Sequence, residues 1–251
     1  MKKELRTAIV ASFTNYGEKD RIVRLISQDH GKISIMAKNA RSPKGKNAGV
    51  FDIGNQLQIS VSAPKQGDIW KLHEVELQEG FGQIHKDIQK LAIMIYCCEV
   101  IDHLSLTEEP SPRLYGLLEN SLKLLEKIPT PQNSFHVAFA SKALSFAGLQ
   151  PNLKTCIHCS KPISAPILYQ PVLGGVIHQQ CNQELSKGLK YKSLPSSHSS
   201  LGELEHLLYT PIADTHTLSI KNGENWAMAR SVEEQTERPL QSKSFLQSLY
   251  P

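Results

Sequence analysis

The strongest constraint on the fold is the alternation of apolar and polar residues within the first 77 positions. After the turn Asp29-His-Gly31, residues 32–38 place Ile33, Ile35 and Ala37 on one face and polar side chains on the other. An alternation with period two is typical of a half-buried strand. Four more runs have strand character, at residues 7–14, 20–27, 57–61 and 69–77. Five short strands in about 70 residues predict a small closed or partly open barrel of the OB type.

The last of these runs contains an irregularity. Its apolar positions change phase between Leu72 and Val75. One extra residue in a strand has this effect, because it turns every following side chain to the opposite face. We therefore expect a β-bulge or a coil near His73.

Beyond Ile84 the apolar period becomes that of helices. From Ile84 to Leu104 the apolar positions form a broad stripe, which predicts a helix with a wide buried face. Further helices, ended by proline or glycine in two cases, are expected at residues 114–128, 134–147, 201–208 and 232–249. Residues 152–190 show neither the strand period nor the helix period of apolar residues. Residues 193–200 are predicted to be a polar linker or loop. The chain therefore combines a β-barrel with a helical part, which is an α+β organisation.

Apolar runs in the sequence are too short for a membrane protein. The longest, at residues 91–98, is far below the length of a bilayer span. The four apolar residues at 8–11 are too few for the core of a signal peptide. We expect a cytoplasmic protein without a membrane partner, whose five cysteines are reduced thiols or metal ligands.

Two pairs of potential metal ligands lie in the irregular segment. Cys156-Ile-His-Cys159 and His178-Gln-Gln-Cys181 each have a two-residue spacer, and 18 residues separate the pairs. This spacing is typical of a zinc ribbon or knuckle, and thiolate and imidazole select Zn²⁺ over hard cations. Four protein ligands leave no open position, so we expect a structural Zn²⁺ that supplies the folding energy of this segment. If His178 is not a ligand, His158 or a water completes the tetrahedron.

The cysteines also suggest an enzymatic alternative. Zinc deaminases combine an H/C-x-E element with P-C-x-x-C, and Cys97-Cys98-Glu99 with the Cys156 pair approaches that pattern. However, Thr155 stands where proline is expected, and Cys97 and Cys98 belong to the most apolar predicted helix, where core residues are expected. The sequence also lacks Walker A, G-x-S-x-G and G-x-G-x-x-G motifs. We therefore expect a binding protein and not an enzyme.

Positive charge is concentrated at one end of the chain. The formal net charge is +4, but the first 50 residues contain eleven lysines and arginines against four acidic residues. The remainder of the chain has an excess of acidic residues. This asymmetry predicts a polyanionic partner for the N-terminal barrel, although a soluble basic surface without a partner has the same charge pattern.

A mobile basic stretch follows the third predicted strand. It has four cations, no acidic residue, and glycine, proline, serine and asparagine between them: Lys38, Arg41, Lys44 and Lys46. Such a loop at a barrel rim is suited to phosphate contacts. Arg21, Arg24 and Lys32 on the preceding strands could extend the patch. Tyr16 and Phe51 are the candidates for base stacking.

Several of these segments together resemble the RecO family of recombination mediators. The resemblance rests on Ala8-Ile-Val, Tyr16-Gly-Glu-Lys-Asp20, Gly31-Lys32, Ala37-Lys-Asn-Ala-Arg41, the Cys pairs after a helical region, and Glu237-Arg-Pro-Leu near the end. It covers the whole chain. Two departures are His178, where many relatives have a fourth cysteine, and Asn39, where glycine is common.

The resemblance implies a domain organisation and a function. It implies an OB-fold domain at residues 1–80 and a helical domain at residues 81–251, with a zinc element inserted at about residues 152–190. It further implies binding of single- and double-stranded DNA, with Lys38 and Arg41 among the contacts. RecO-like proteins anneal strands coated with single-strand-binding protein, and with RecR they load RecA. A nucleoid-associated location follows. The alternative is an RNA-binding or ribosome-associated factor that combines an OB fold with a zinc ribbon.

Overall fold

The computed structural model describes residues 4–43, 47–129, 131–185, 192–218, 220 and 226–250. These residues form two compact units, Met1–Thr130 and Pro131–Pro251. The first unit contains a β-barrel, a short 3-10 helix (Ile84–Lys86) and two α-helices, and the second contains helices and a small sheet. The predicted domain boundary near residue 80 stays a prediction.

Five strands close the barrel of the first unit. They are β1 (Glu4–Tyr16), β2 (Asp20–Ser27), β3 (Gly31–Ala37), β4 (Gln56–Ser62) and β5 (Ile69–Glu79). The strand order is β1-β2-β3-β5-β4, and β4 pairs back to β1. The β3–β5 pairing is parallel, and the other four are antiparallel. The predicted α+β fold class, with its five-stranded barrel of the OB type, is confirmed.

The barrel core follows the alternation in the sequence. Ile33, Ile35 and Ala37 are fully buried, and the residues between them are half-buried. The prediction for β3 is therefore confirmed. The inward side chains of all five strands form one cluster, which includes Val10, Leu25, Ile59, Val61 and Trp70.

A bulge occurs where the change of apolar phase predicts one. Ser60 pairs with Glu74, and Val61 pairs with Leu72, so His73 is the extra residue in β5. Two further register shifts are not predicted by the sequence: one lies in β1 between Val10 and Ser12, and one lies in the β4–β5 pairing between Gln56 and Leu57.

Two helices pack beside the barrel. They are α1 (Ile88–Leu104) and α2 (Pro112–Lys127). The Asp87 carboxylate accepts hydrogen bonds from the backbone N–H groups of Gln89 and Lys90, which satisfies the free donors at the start of α1. The helix packs against β1 and α2.

The segment after α1 crosses the β2–β3 turn. Lys32 donates its backbone N–H to Leu106 O at 3.2 Å and accepts one from Glu108 at 3.0 Å. Gly31 has a φ of +62°, and a Cβ at this position would lie 2.0 Å from Glu109 O. Glycine is therefore required here both by the backbone conformation and by the close approach.

The second unit contains six helices and three strands within its described residues. The helices are α3 (Ser134–Phe146), α4 (Gln179–Leu185), α5 (His198–Tyr209), α6 (Ile212–Thr215), α7 (Ala227–Thr236) and α8 (Ser242–Leu249). α3 is buried on nearly every face and packs against α5, α6 and α7. The strands are β6 (Ile167–Gln170), β7 (Gly175–His178) and β8 (Leu194–Ser196), in the order β7-β6-β8.

Two sequence-based expectations for this unit are wrong. The region from 152 to 200 is not irregular throughout, because it contains the three-stranded sheet. The helix expected over residues 232–249 is interrupted. Glu237 adopts a left-handed conformation with φ of +52°, and Pro239 cannot donate a backbone hydrogen bond. The Glu233 carboxylate instead accepts a hydrogen bond from Leu240 N at 3.1 Å and so stabilises the break.

Within the described part of the chain, no helix combines the length and the apolar character needed to cross a bilayer.

Candidate nucleic-acid interface and metal centre

Three exposed cations lie at one rim of the barrel. Lys19 is in the β1–β2 turn, and Lys38 and Arg41 begin the β3–β4 loop. Arg41 joins these two segments, since its backbone N–H donates to Lys19 O at 3.0 Å and its Nη1 donates to Gly17 O at 3.1 Å. We call Lys19, Lys38 and Arg41 the cationic rim. Its side chains face solvent on a fixed backbone, as phosphate contacts require.

The backbone of the loop is held at its first turn. Asn39 has a φ of +53°, a left-handed conformation that asparagine tolerates better than most residues. Its backbone N–H donates to the Asp20 carboxylate at 2.8 Å. Asp20 lies at the end of the β1–β2 turn, so this bond connects the loop to that turn. Asparagine is therefore compatible with a tight turn at this position.

Lys19 was not among the sequence-based candidates. It is an isolated cation between Glu18 and Asp20, so local charge gave no reason to select it. The signal that could have identified it is the hairpin turn itself. Because β1, β2 and β3 pair antiparallel in order, the β1–β2 turn and the β3–β4 loop lie at the same end of the barrel.

Arg24 and Lys32 are engaged by a buried carboxylate. Arg24 Nε lies 3.4 Å from Asp102 Oδ2, and Lys32 Nζ lies 3.7 Å from Oδ1 of the same residue in α1. Lys32 Nζ also donates to Asp102 O at 2.7 Å. Arg24 Nε donates to Ser12 Oγ at 2.7 Å, and Ser12 donates to Asp102 at 3.3 Å. These contacts attach the barrel to α1, so a role in DNA binding for these two cations stays a prediction.

Arg21 is held by neighbouring side chains. Its guanidinium lies over the Phe13 ring, 3.8 Å from the centroid, and its Nη1 lies 3.5 Å from Asp52 Oδ1. The arginine covers the partly buried ring of Phe13, which packs on the barrel core. DNA contact by Arg21 stays a prediction. The predicted contacts Lys44 and Lys46 lie outside the described residues.

The two aromatic candidates differ in accessibility. Tyr16 is 56% exposed at the end of β1 and remains available for stacking. Phe51 is 1% exposed and belongs to the barrel core. The expectation that Phe51 stacks on bases is therefore wrong, because its ring fills the barrel interior.

The second unit contains a cluster with metal-binding geometry. The ligand atoms of Cys156, Cys159, His178 and Cys181 all lie within 4.8 Å of one another. His178 Nδ1 is 3.5 Å from Cys159 Sγ and 3.9 Å from Cys181 Sγ. In a tetrahedral zinc site, a sulfur and a nitrogen ligand are about 3.5 Å apart. The cluster therefore fits a tetrahedral Zn²⁺ with one imidazole and three thiolate ligands. The exposed His158 is not part of it.

The tautomer of His178 suits this arrangement. Its Nε2 lies 3.2 Å from Pro162 O, a carbonyl that can only accept a hydrogen bond. The proton on Nε2 leaves Nδ1 as the free lone pair directed at the cysteines. A ligating histidine in structural sites typically has such a partner on its other nitrogen.

Local backbone geometry places these ligands. Ser160 N donates to Cys156 O at 2.9 Å, and Cys156 N donates to Lys161 O at 2.9 Å, which closes a tight turn around the first pair. His178 ends β7, and Cys181 lies in the first turns of α4. The strand-to-helix junction therefore directs both residues of the second pair to the same side.

The thiols of the cluster differ in acidity. Burial alone would raise the pKa of Cys156, but backbone N–H groups, first those of Cys159 and His178, stabilise its thiolate and lower its pKa to about 6. Burial and the neighbouring thiols of Cys159 and Cys156 raise the pKa of Cys181 to about 12. The Cys156 thiolate is thus available near neutral pH, whereas Cys181 must release its proton to solvent when a metal ion binds.

The other two cysteines have a different environment. Cys97 and Cys98 are fully buried in α1. Burial raises the pKa of Cys97 well above its usual value and that of Cys98 to about 12. These inert thiols are core residues, as expected, and their environment does not support the deaminase alternative.

The fold and the cluster define an OB-barrel protein with a Cys/His cluster that could hold a metal ion. Residues 1–81 match the family described as recombination protein O N terminal, and residues 85–241 match recombination protein O C terminal. The chain therefore belongs to the recombination protein O (RecO) family of DNA repair proteins.

Curated relatives agree with this assignment. The DNA repair protein RecO of Symbiobacterium thermophilum is 30% identical over 252 residues, which cover 96% of this chain and 95% of the relative. The DNA repair protein RecO of Myxococcus xanthus is 30% identical over 174 residues, covering 69% and 70% of the two chains.

Proposed function

We propose that this protein is a DNA repair mediator that acts by binding and has no active site. It binds single- and double-stranded DNA and anneals complementary strands coated with single-strand-binding protein. With RecR, it promotes the loading of RecA. The observation that carries the proposal is the cationic rim, three exposed cations on a fixed backbone, in a chain of the RecO family.

Annealing of this kind requires no bond chemistry. Two DNA strands repel each other, and a protein that neutralises phosphates on both lowers that repulsion and releases counterions. Lys38 and Arg41 are proposed as the main phosphate contacts, with Lys19, Lys44 and Lys46 beside them. Arg21, Arg24 and Lys32 contribute less to binding in this proposal, because acidic or aromatic side chains already engage them.

The metal cluster has a structural role in the proposal. Cys156, Cys159, His178 and Cys181 would hold Zn²⁺, and four protein ligands leave no position for a substrate. The ion would fix the Cys156 turn to the junction of β7 and α4. A cytoplasmic, nucleoid-associated location also belongs to the proposal.

A strand-annealing assay tests the function directly. Complementary oligonucleotides, one of them labelled, are mixed with the protein in the presence and absence of single-strand-binding protein, and duplex formation is followed over time. We expect faster annealing in both conditions. The alternative, an RNA-binding or ribosome-associated factor, would bind structured RNA more tightly than single-stranded DNA and would not accelerate annealing. That result would refute the repair proposal.

A further inference from the structure

A cavity of about 750 Å³ opens beside the Cys/His cluster of the second unit. Among the described residues, its lining includes Cys159, His178 and Cys181 but not Cys156. The two cysteines of the lining are half-buried, whereas Cys156 is only 1% exposed. Small solutes therefore reach two of the three sulfur atoms of the cluster, and the protein covers the third.

The two accessible sulfur atoms lie on either side of the same imidazole contact. Cys159 Sγ is 3.5 Å from His178 Nδ1, and Cys181 Sγ is 3.9 Å from the same nitrogen. All ligand atoms of the cluster lie within 4.8 Å of one another. A disulfide bond has a sulfur–sulfur distance of about 2.05 Å, so these two sulfur atoms need to approach by less than about 3 Å to form one.

We propose that Cys159 and Cys181 are a peroxide-sensitive pair, which hydrogen peroxide converts to a disulfide with loss of the metal ion. One thiolate attacks a peroxide oxygen, so an S–O bond forms, the O–O bond breaks, and hydroxide leaves. The second thiolate attacks the resulting sulfenic acid, so the S–S bond forms, the S–O bond breaks, and a second hydroxide leaves. Both hydroxides take up a proton and become water. The two sulfur atoms lose two electrons in total, and the peroxide gains them.

The disulfide removes two of the four metal ligands. Thiolate sulfur binds metal ions, and disulfide sulfur is a poor ligand, so Cys156 and His178 alone do not retain Zn²⁺. The new bond joins the turn at Cys159 to α4, which contains Cys181, and so replaces the ion as the link between these segments. A thiol reductant reverses the change by exchange, in which two reductant thiols become a disulfide and the two cysteines regain their protons.

Cys97 and Cys98 provide an internal comparison. They are adjacent in α1, and each is 0% exposed. Oxidation of a cysteine requires that the oxidant reach its sulfur atom. These two thiols should therefore stay reduced under conditions that oxidise the pair at the cavity.

Treatment of the full-length, zinc-loaded protein with hydrogen peroxide tests the proposal. A chromogenic chelator reports released zinc, and peptide mass mapping without reductant, after alkylation of free thiols, locates the disulfide. We expect loss of about one Zn²⁺ per chain, a mass lower by two hydrogen atoms and a bond between Cys159 and Cys181. Cys156, Cys97 and Cys98 should be alkylated. Dithiothreitol followed by zinc should restore the metal content.

Two matched variants separate the accessible sulfur atoms from the covered one. Cys156→Ser keeps both accessible cysteines and should form the same disulfide, a result that the mass measurement gives whatever the metal content of the variant. Cys181→Ser should form a disulfide about tenfold more slowly, because its remaining partner for Cys159 is covered. A first disulfide that includes Cys156, zinc release without a disulfide, or oxidation of Cys97 and Cys98 at the same rate would overturn the proposal, as would a pair that stays reduced.

Discussion

Arg24 Nε on β2 lies 3.4 Å from the carboxylate of Asp102 in α1, a side chain that is 2% exposed. Lys32 joins the same carboxylate from β3. Arg24 and Lys32 lie on adjacent strands. Through Asp102 they connect the barrel to a helix some 70 residues further along the chain. One buried carboxylate neutralises part of their positive charge, which distinguishes them from the exposed cations of the rim.

Removal of the Asp102 charge should destabilise the protein. Asp102→Asn leaves Arg24 and Lys32 without their buried counter-ion, and we expect the free energy of unfolding to fall by about 2 kcal/mol, less than for fully buried pairs because both cations are partly exposed. Urea unfolding followed by circular dichroism measures the change. Asp52→Asn is the control, because Asp52 is exposed and its pair with Arg21 should contribute less than about 1 kcal/mol. Equal effects of the two variants would contradict a stabilising role for Asp102.

Neutralisation of the cationic rim should change the salt dependence of DNA binding. Lys38→Gln with Arg41→Gln removes two phosphate contacts, so the slope of log K against log salt for single-stranded DNA should decrease in magnitude by about 1.4. Anisotropy titrations over a range of salt concentrations give this slope. Lys19→Gln alone should lower it by about 0.7.

Matched variants distinguish the rim from other cations. Lys86→Gln with Lys127→Gln removes two exposed charges outside the barrel and should leave the slope nearly unchanged. Arg24→Gln should lower the free energy of unfolding but leave the slope nearly unchanged. If Arg24→Gln changes the slope as much as Lys38→Gln does, the DNA interface extends over β2 as well.

Loss of a single cluster ligand should reduce zinc content. His178→Ala is expected to lower the bound zinc per chain, measured by atomic emission after dialysis, and to loosen the region around Cys156. His158→Ala should keep full zinc, because its side chain is outside the cluster. Full zinc content in the His178 variant would show that another group is the fourth ligand.

Zinc binding should release protons near neutral pH. The pKa of Cys156 is lowered to about 6, so its thiol is largely ionised at pH 7, whereas Cys181 has a pKa raised to about 12. Binding therefore displaces the proton of the Cys181 thiol, and zinc affinity should increase with pH above 6. Calorimetry in buffers of different ionisation enthalpy measures the number released. A pH-independent affinity would contradict thiolate ligation.

The buried His136 should make stability depend on pH. It is fully buried and stacked on Trp226 with ring centroids 4.7 Å apart, and burial lowers its pKa to about 3. The unfolded chain binds a proton near pH 6.5 and the folded chain does not. Stability is therefore complete above pH 6.5 and falls by about 1 kcal/mol per pH unit below it.

Unfolding experiments at pH 7 and pH 5.5 test this dependence. His136→Phe keeps an aromatic ring beside Trp226 and removes the titrating group, so its stability should change less between the two pH values than that of the unmodified protein. Equal changes would mean that other groups account for the pH dependence.

Much of the fold could be predicted because the controlling interactions are local. The alternation in β3, the change of phase at His73 and the spacing of the Cys pairs each involve residues near one another in the chain. The sheet of the second unit was missed because its strands have only three or four residues, too short for a period to appear. The break at Glu237 was missed because an apolar stripe continues across it.

The sequence by itself determined the barrel, the helical character of the chain beyond residue 84 and the four metal-ligand candidates, since hydrophobic period and ligand spacing are properties of short segments. Tertiary structure alone decided which cations remain exposed. Asp102 engages Arg24 and Lys32, and Phe51 enters the core, through contacts between residues far apart in the chain. Charge and aromaticity can be read from a sequence, but accessibility depends on which distant segment covers a side chain.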